Sequence, residues 1–458
     1  MNNGVGAGRI GCCIDEWVTV TSLWRVEAEG EAMAQAPRSL SPHLSARHAF
    51  GAAVRDLRTR RGLSQADLGS LVFVSKDQIG KVEKALRWPT QELISDLDAT
   101  LGASGLLKAF EPSLRSQRHY RQQLVLRVET TLERAALDWL TVDAGGVRIL
   151  GTEADRRIDE EVVASARQQL ASFRQLDHLH GAGRMHHVVA GYVTTELEAL
   201  LRGVPIDDAV ASALYSTAAG FWELVGYQSV DLGLDEYARD CYLRALELAS
   251  AGGDRLYGGY LLSVSSAHLA LHGGDVDTAT RMARAGLHGT AGIASPGVSS
   301  AFEAVLARAA ARRGDGKVAT SAMMRAERHL DSSRPEAEPA WIAYFSPAYL
   351  ADEMAHCFHD LGHQELAQEQ ADEALSHVAP GHVRRLAIDT ALMASSLARA
   401  GEPEEACAVG RRAVEFAAQT SSVRSRQRIG ELCQELVPYA ELKSVVQFGE
   451  YVRSALPG

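Results

Sequence analysis

The chain has 458 residues, 46% of them hydrophobic and 23% charged, with a formal net charge of −11. That length exceeds one ordinary core and implies two or three domains, and the composition excludes disorder as the state of most of the chain. No run reaches the roughly 18 apolar residues that a membrane span needs, and the N-terminus lacks the basic start, apolar stretch and small-residue cleavage site of a secretory leader. Six cysteines (Cys12, Cys13, Cys241, Cys357, Cys407 and Cys433) are scattered along the sequence. A reduced, cytoplasmic protein with no membrane partner is the expectation.

Charge is unevenly placed. Between Arg47 and Arg121 stand 13 Lys or Arg against 8 Asp or Glu, and four of the six lysines (Lys76, Lys81, Lys84, Lys108) fall in that window. A small basic segment on an acidic body fits a nucleic-acid reader joined to something that avoids nucleic acid.

Residues 1–45 show no sustained period, and Pro37, Ser39, Ser41, Pro42 and Ser45 read as a flexible lead-in, with Met33 an alternative start. From Ser45 to Phe110 the pattern is one of short amphipathic helices with sharp stops. Ala49, Val54 and Leu57 begin an apolar stripe that Gly62 ends. Ser64 caps a second helix through Leu71, with Asp67 completing a capping box. Ser75 caps a third that buries Ile79 and Val82, Pro89 closes it, and a fourth runs from about Gln91 to Leu101, ended by Gly102. Residues 112–136 predict a connecting helix, and 140–150, around Asp143-Ala144-Gly145-Gly146, a short hairpin. Everything after Arg156 reads as Ala-rich helix punctuated by Gly.

The string L-R-T-R-R-G-L-S-Q-A-D-L-G from Leu57 to Gly69, followed by V-S-K-D-Q-I-G-K-V-E-K from Val74 to Lys84, resembles the Cro/C1-type (XRE) helix-turn-helix family over roughly Ala49 to Glu111. The resemblance implies a λ-repressor-like bundle that binds double-stranded DNA, in which the third helix enters the major groove. With Ile79 and Val82 packed inward, Lys76, Asp77, Gln78 and Lys81 face outward. Gln78 suits adenine, Lys76 and Lys81 suit guanine or phosphate, and Asp77 accepts from cytosine or filters against wrong sites. Gln65, inside the Ser64 cap, is placed for the phosphate backbone, Ser75 opens the reading helix, and Lys84 and Arg87 reach phosphates. The resemblance further implies that Glu83 ties the third helix back to an arginine of the first, with Arg58 the best candidate. Three residues depart from the family pattern: Phe73 sits in a turn where a small residue or glycine is commoner, Gly80 weakens its helix by about 1 kcal/mol relative to Ala, and Asp77 is an unusual acidic residue on a face turned to DNA.

The C-terminal half repeats itself. Gly233, Gly274, Gly314, Gly362 and Gly401 are each followed by a small residue five and twelve positions later, as in Gly233/Ala238/Ala245 and Gly401/Ala406/Ala413, and preceded by one seven positions earlier (Gly226, Ala267, Ala307, Ala355, Ala394). Small residues at those offsets serve a helical hairpin whose helices cross closely, and the glycine reverses the chain. With Trp222 added, the pattern is similar to the tetratricopeptide repeat (TPR), although the spacings of 39 to 48 residues are longer than the usual one. The expected fold is therefore all-α, a helix-turn-helix bundle followed by an α-solenoid. Its expected divisions are the lead-in (1–45), the DNA-binding domain (46–111), a connector (112–155) and a TPR-like sensor or dimerisation domain (156–456). Carrying the TPR positions over places Glu223, Tyr227, His268, Arg308, Tyr349, Asp352, His356, His359 and Ser395 on a concave face. That face takes a peptide or protein partner, or serves contacts within a homodimer alone.

The groups His356/Cys357/His359/His363, His178/His180 and His186/His187 have helical spacing but no matching cysteine or carboxylate pattern, so no metal and no cofactor is expected. No phosphate loop or nucleophile motif marks an enzyme. The expectation is a DNA-binding transcriptional regulator; the alternatives are a TPR scaffold without DNA binding, and a repressor whose C-terminal part only pairs subunits.

Overall fold

The computed structural model describes residues 46–111, 114, 131–141 and 156–456, and the description is confined to these. The first four helices are α1 (Ala46–Arg60), α2 (Gln65–Leu71), α3 (Lys76–Glu83) and α4 (Gln91–Thr100). Phe50 and Val54 of α1 pack with Leu68, Ile79, Val82, Leu97, Leu101 and Leu107 in one core, and Phe110 closes it edge-on to Phe50 at 5.9 Å. Close approach is possible because Gly51 has no side chain: a Cβ there would stand 2.7 Å from the Val82 carbonyl. The Ser64–Asp67 capping box forms in both directions, Ser75 accepts from the Gln78 amide, and Thr90 accepts from the Leu93 amide.

Glu111 and Leu114 are helical, and α5 (Leu132–Thr141) covers the end of the connecting helix expected over 112–136 and runs past it. The remainder of that stretch, except residue 114, and residues 142–150 of the suggested hairpin lie outside the described residues; Leu140 and Thr141, which the hairpin would have claimed, are helical. A two-residue strand β1 (Arg157–Ile158) pairs in parallel with β2 (Val204–Pro205), against the expectation of helix alone after Arg156. The pairing brackets α6 (Glu160–His180) and α7 (182–201), and Ile158 is fully buried by it.

From there the chain builds consecutive hairpins: α8 (Asp208–Asp231) with α9 (Asp235–Ala251), α10 (255–272) with α11 (Val276–Gly289), α12 (Pro296–Arg312) with α13 (Gly316–Asp331), α14 (Pro347–Leu361) with α15 (Gln364–Ser376), and α16 (Val383–Ala400) with α17 (Pro403–Ala417). Helices α18 (Val423–Glu435) and α19 (Lys443–Ala455) end it. The repeating small residues occupy the crossings, where Ala267, Ala307, Ala355 and Ala394 are fully buried, and a Cβ on Gly226 would reach within 2.5 Å of the Tyr242 ring. The five repeating glycines all sit at positive φ, 71° to 88°, directly between the helices of a hairpin. Helices α7 and α10 each contain a π-helical stretch, at Val193–Leu197 and Leu261–Ser266.

Two further contacts shape this part. Trp139 of α5 lies where side chains on Gly258 and Gly289 would otherwise be, and Arg255 stacks over its ring at 4.7 Å while donating to the Trp139 carbonyl. Alongside, the Thr278 hydroxyl donates to Glu133 at 2.7 Å and, with Arg281, holds that carboxyl down at about 2. The ends of the array also meet. Arg384 on α16 donates to Asp177 of α6 and Asp231 of α8, at 3.3 and 3.1 Å, and the Ser422 hydroxyl donates to the other oxygen of Asp231 at 2.6 Å.

If the crossings depend on absent side chains, Gly286→Ala, whose new Cβ would meet Ser263 Oγ and stand 2.6 Å from the Gly259 carbonyl, should destabilise the chain by about 1–3 kcal/mol. Gly381→Ala, which meets nothing within 4 Å, should change little. Urea unfolding followed by circular dichroism compares the two.

Candidate nucleic-acid interface and ligand cavity

Helix α3 is held from behind by one buried carboxylate. Glu83 is fully buried and accepts from Arg58 Nε at 2.5 Å and Nη2 at 3.2 Å, a two-point grip from α1 to the end of α3. Arg58 Nη1 also donates to the Leu63 carbonyl at 2.6 Å, fixing the loop that leads into α2. The third donor to Glu83 is Gln65, through Nε2 at 2.7 Å.

That last bond gives Gln65, expected at the phosphate backbone, a partner within the bundle. Its side chain is half-buried and engaged with Glu83 rather than held out toward a phosphate backbone. Gly80 explains itself in the same place: a Cβ there would crowd the Gln65 amide oxygen at 3.3 Å. The helix accepts a poor helix former because α2 and α3 cross over a glutamine. Phe73, the other departure, adopts φ of 56° in the turn between α2 and α3 with its ring 94% exposed. A β-carbon in that conformation is unfavourable, which is why glycine suits the position.

Ile79 and Val82 are buried, and Lys76, Asp77, Lys81, Lys84 and Arg87 are exposed, with Gln78 half-buried at the helix start. Asp77 is paired with Lys81 at 2.7 Å, one turn on, so the acidic residue on this face is locally compensated. Ser75 and Ser64 are occupied as caps.

In the repeat part, α8, α10, α12, α14 and α16, joined by α6 and α18, surround a cavity of about 640 Å³. Of the nine residues carried over from the repeat pattern, Glu223, Tyr227, His268, Arg308, Tyr349, Asp352 and His356 line it. His359 and Ser395 do not. His359 lies about 80° round α14 from the stripe begun by Tyr349, where its ring meets Ser396 at 3.0 Å and Glu435 at 3.3 Å. Ser395 is buried further along α16, against the same Glu435.

The wall carries residues that the repeat pattern did not indicate: Arg174 on α6, Trp341 and Tyr344 in the segment before α14, Arg384, Arg385 and Asp389 on α16, and Arg424 and Arg428 on α18. The flanking helices α6 and α18 lie outside the repeat register, and Arg384, Arg385 and Asp389 precede Ser395, the position carried over on α16, so no positional carry-over reaches them. The 48-residue spacing between Gly314 and Gly362 was the available signal for Trp341 and Tyr344, since the extra chain must go somewhere.

Most of the charges on this wall are paired: Arg174–Glu223 at 3.2 Å, Arg308–Glu353 at 2.8 Å, Arg312–Asp360 at 3.1 Å, Arg385–Asp389 at 3.2 Å and Arg428–Glu431 at 2.5 Å, besides the Arg384 contacts above. Arg428 also donates to His356 Nδ1 at 2.8 Å. An arginine only donates, so His356 carries its proton on Nε2, which faces Asp352 Oδ1 at 3.6 Å. Burial, followed by the charges of Arg308 and Arg428, pushes the His356 ring well below its ordinary pKa; burial with Arg424 and His268 does the same to His272. Asp389 is pushed well up by burial and by the neighbouring Asp352. Aromatic rings stand among these groups, with Arg385 over the Tyr349 ring at 4.9 Å. Trp341 lies 4.9 Å from Tyr260, Tyr344 lies 4.9 Å from Tyr349, and the Tyr260 and Tyr344 hydroxyls meet at 3.4 Å.

Replacing Glu83 by Ala should leave the Arg58 guanidinium, 13% exposed, without its partner at a cost of about 3–5 kcal/mol. Amide hydrogen exchange over residues 76–83 of the full chain should accelerate accordingly, while exchange over 383–400 stays unchanged.

Residues 49–110 match a family model described as a helix-turn-helix domain. No curated protein matches the chain. Among solved structures, PlcR of Bacillus thuringiensis in complex with the peptide PapR7 and DNA is similar at 9% identity, covering 89% of this chain and 99% of that one, with a TM-score of 0.21. At that score the likeness carries no weight for fold or function.

Proposed function

We propose that this chain is a sequence-specific DNA-binding transcriptional regulator, acting in the cytoplasm as a homodimer, with residues 46–111 reading DNA and 156–456 sensing a signal. The observation that carries the reading is the outer face of α3. Lys76, Gln78 and Lys81 stand on a helix whose inner face is packed by Ile79 and Val82 and whose end is gripped through Glu83. A helix clamped on one side and polar on the other is what base reading in the major groove requires. Lys84 and Arg87, exposed just beyond it, supply phosphate contacts. Asp77 and Lys81 form one unit, so a base contact by Lys81 also moves Asp77.

Coupling between sensing and reading runs through α5. Its Trp139 is seated against Gly258 of α10, and Tyr260 of the same helix lines the cavity. Whatever occupies the cavity and shifts Tyr260 therefore changes the seat of the segment that follows the DNA-binding part. As a regulator the chain catalyses no reaction.

In gel-shift titrations against its own promoter region, affinity should fall steeply with salt. Lys84→Ala should reduce the slope of log affinity against log salt by about 1 and weaken all sequences alike, whereas Gln78→Ala should cost about 1–3 kcal/mol on the specific site and little elsewhere. Binding that is absent or independent of salt would return the chain to the scaffold alternative.

A further inference from the structure

The cavity wall is an arginine–carboxylate network that is complete except at two places. Every other arginine on it has a carboxylate partner. Arg424 has none among the described residues: its guanidinium lies 6.0 Å from the Tyr227 ring, and its Nε is fully buried without a hydrogen-bond partner. The complementary gap is Asp352, whose Oδ1 is buried and likewise without a hydrogen bond, with the His356 ring 3.6 Å away. A buried donor and a buried acceptor left open in an otherwise satisfied network cost stability unless something completes them.

We propose that the cavity takes a small zwitterion, its anionic group on Arg424, its ammonium on Asp352, and a flat apolar body against Trp341 and Tyr344. This rests on the reading of residues 156–456 as a sensor and names what is sensed. Arg424 and Arg428 are one turn apart on α18, and Arg428 reaches Asp352 through His356. The volume, about 640 Å³, is that of a drug-sized ligand. Helices α6 and α16 meet through Arg384 and Asp177, which blocks one end of the array and favours a small molecule over a long helix laid along it. Amino acids and short peptides with free termini share this chemistry.

Calorimetric titration of the full chain with four probes tests the assignment: phenylalanine, the tripeptide Ala-Phe-Ala with free termini, phenylalaninamide and N-acetylphenylalanine. The amino acid or the tripeptide should bind, and whichever does identifies the source of the ligand. Removing either charge should weaken binding about tenfold or more. Arg424→Gln should weaken the free zwitterion by a similar factor and leave phenylalaninamide unaffected, with Arg424→Lys restoring part of the loss. Asp352→Asn should spare N-acetylphenylalanine in the same way. Failure of both zwitterions to bind at millimolar concentration, equal affinity for capped and free probes, or equal weakening of all four by Arg424→Gln would overturn the proposal. Gel shifts on the same proteins separate the two readings. Arg424→Gln protein that still binds DNA while these titrations fail leaves the regulator standing without this ligand, and loss of DNA binding by the wild type sinks the regulator alone.

Discussion

The repeat part depends on a cation held far from its neighbours in sequence. Arg384, 12% exposed, is gripped by Asp177 and Asp231, which are 2% and 1% exposed, and its guanidinium lies 4.9 Å from the Tyr227 ring. Burying three charges together is unfavourable unless each is satisfied. Here the geometry satisfies them only when α6, α8 and α16 are brought to one point, and Ser422 at the start of α18 completes the set. Without that contact a stack of hairpins is an open curve with a groove. With it, the same hairpins enclose a cavity whose wall is drawn from both ends of the array.

The same logic, on a smaller scale, operates in the helix-turn-helix bundle. Glu83 gathers Arg58 and Gln65 beneath the reading helix, as Arg384 gathers its aspartates. In both places a buried charge fixes orientation where apolar packing alone would allow several. The helix-turn-helix pays for this in local helix quality, since Gly80 is retained to make room for Gln65. Phe73 shows a related strain, holding a positive φ with its ring in solvent.

Between these two clamps lies α5, seated by Trp139 over two glycines and fastened by Glu133 to Thr278 and Arg281. It packs against α9 and α11 and, through Trp139, against the first turn of α10. Trp139 reaches Gly258, while Tyr260, two residues further on, faces inward. The π-helical stretch that begins at Leu261 follows directly. Such single-turn irregularities commonly sit at functional sites, and this one joins the seat of α5 to the cavity wall within a few residues.

What the sequence determined by itself was the local and periodic part. Caps at Ser64 and Ser75, the stops at Gly62 and Gly102, and the small-residue crossings all follow from rules that act within a turn or between adjacent helices. The Arg58–Glu83 pair was legible because a resemblance supplied the long-range half of it. The tertiary structure alone decided the rest. That Gln65 turns inward depends on where Glu83 lies, 18 residues away. That His359 and Ser395 are covered depends on α18 packing over α14 and α16, which no repeat register foretells. The arginines of α6, α16 and α18 become one wall only because the array closes, and closure brings together Asp177 and Arg384, 207 residues apart. Periodicity reports which face of a helix is buried; it carries no record of what that face meets.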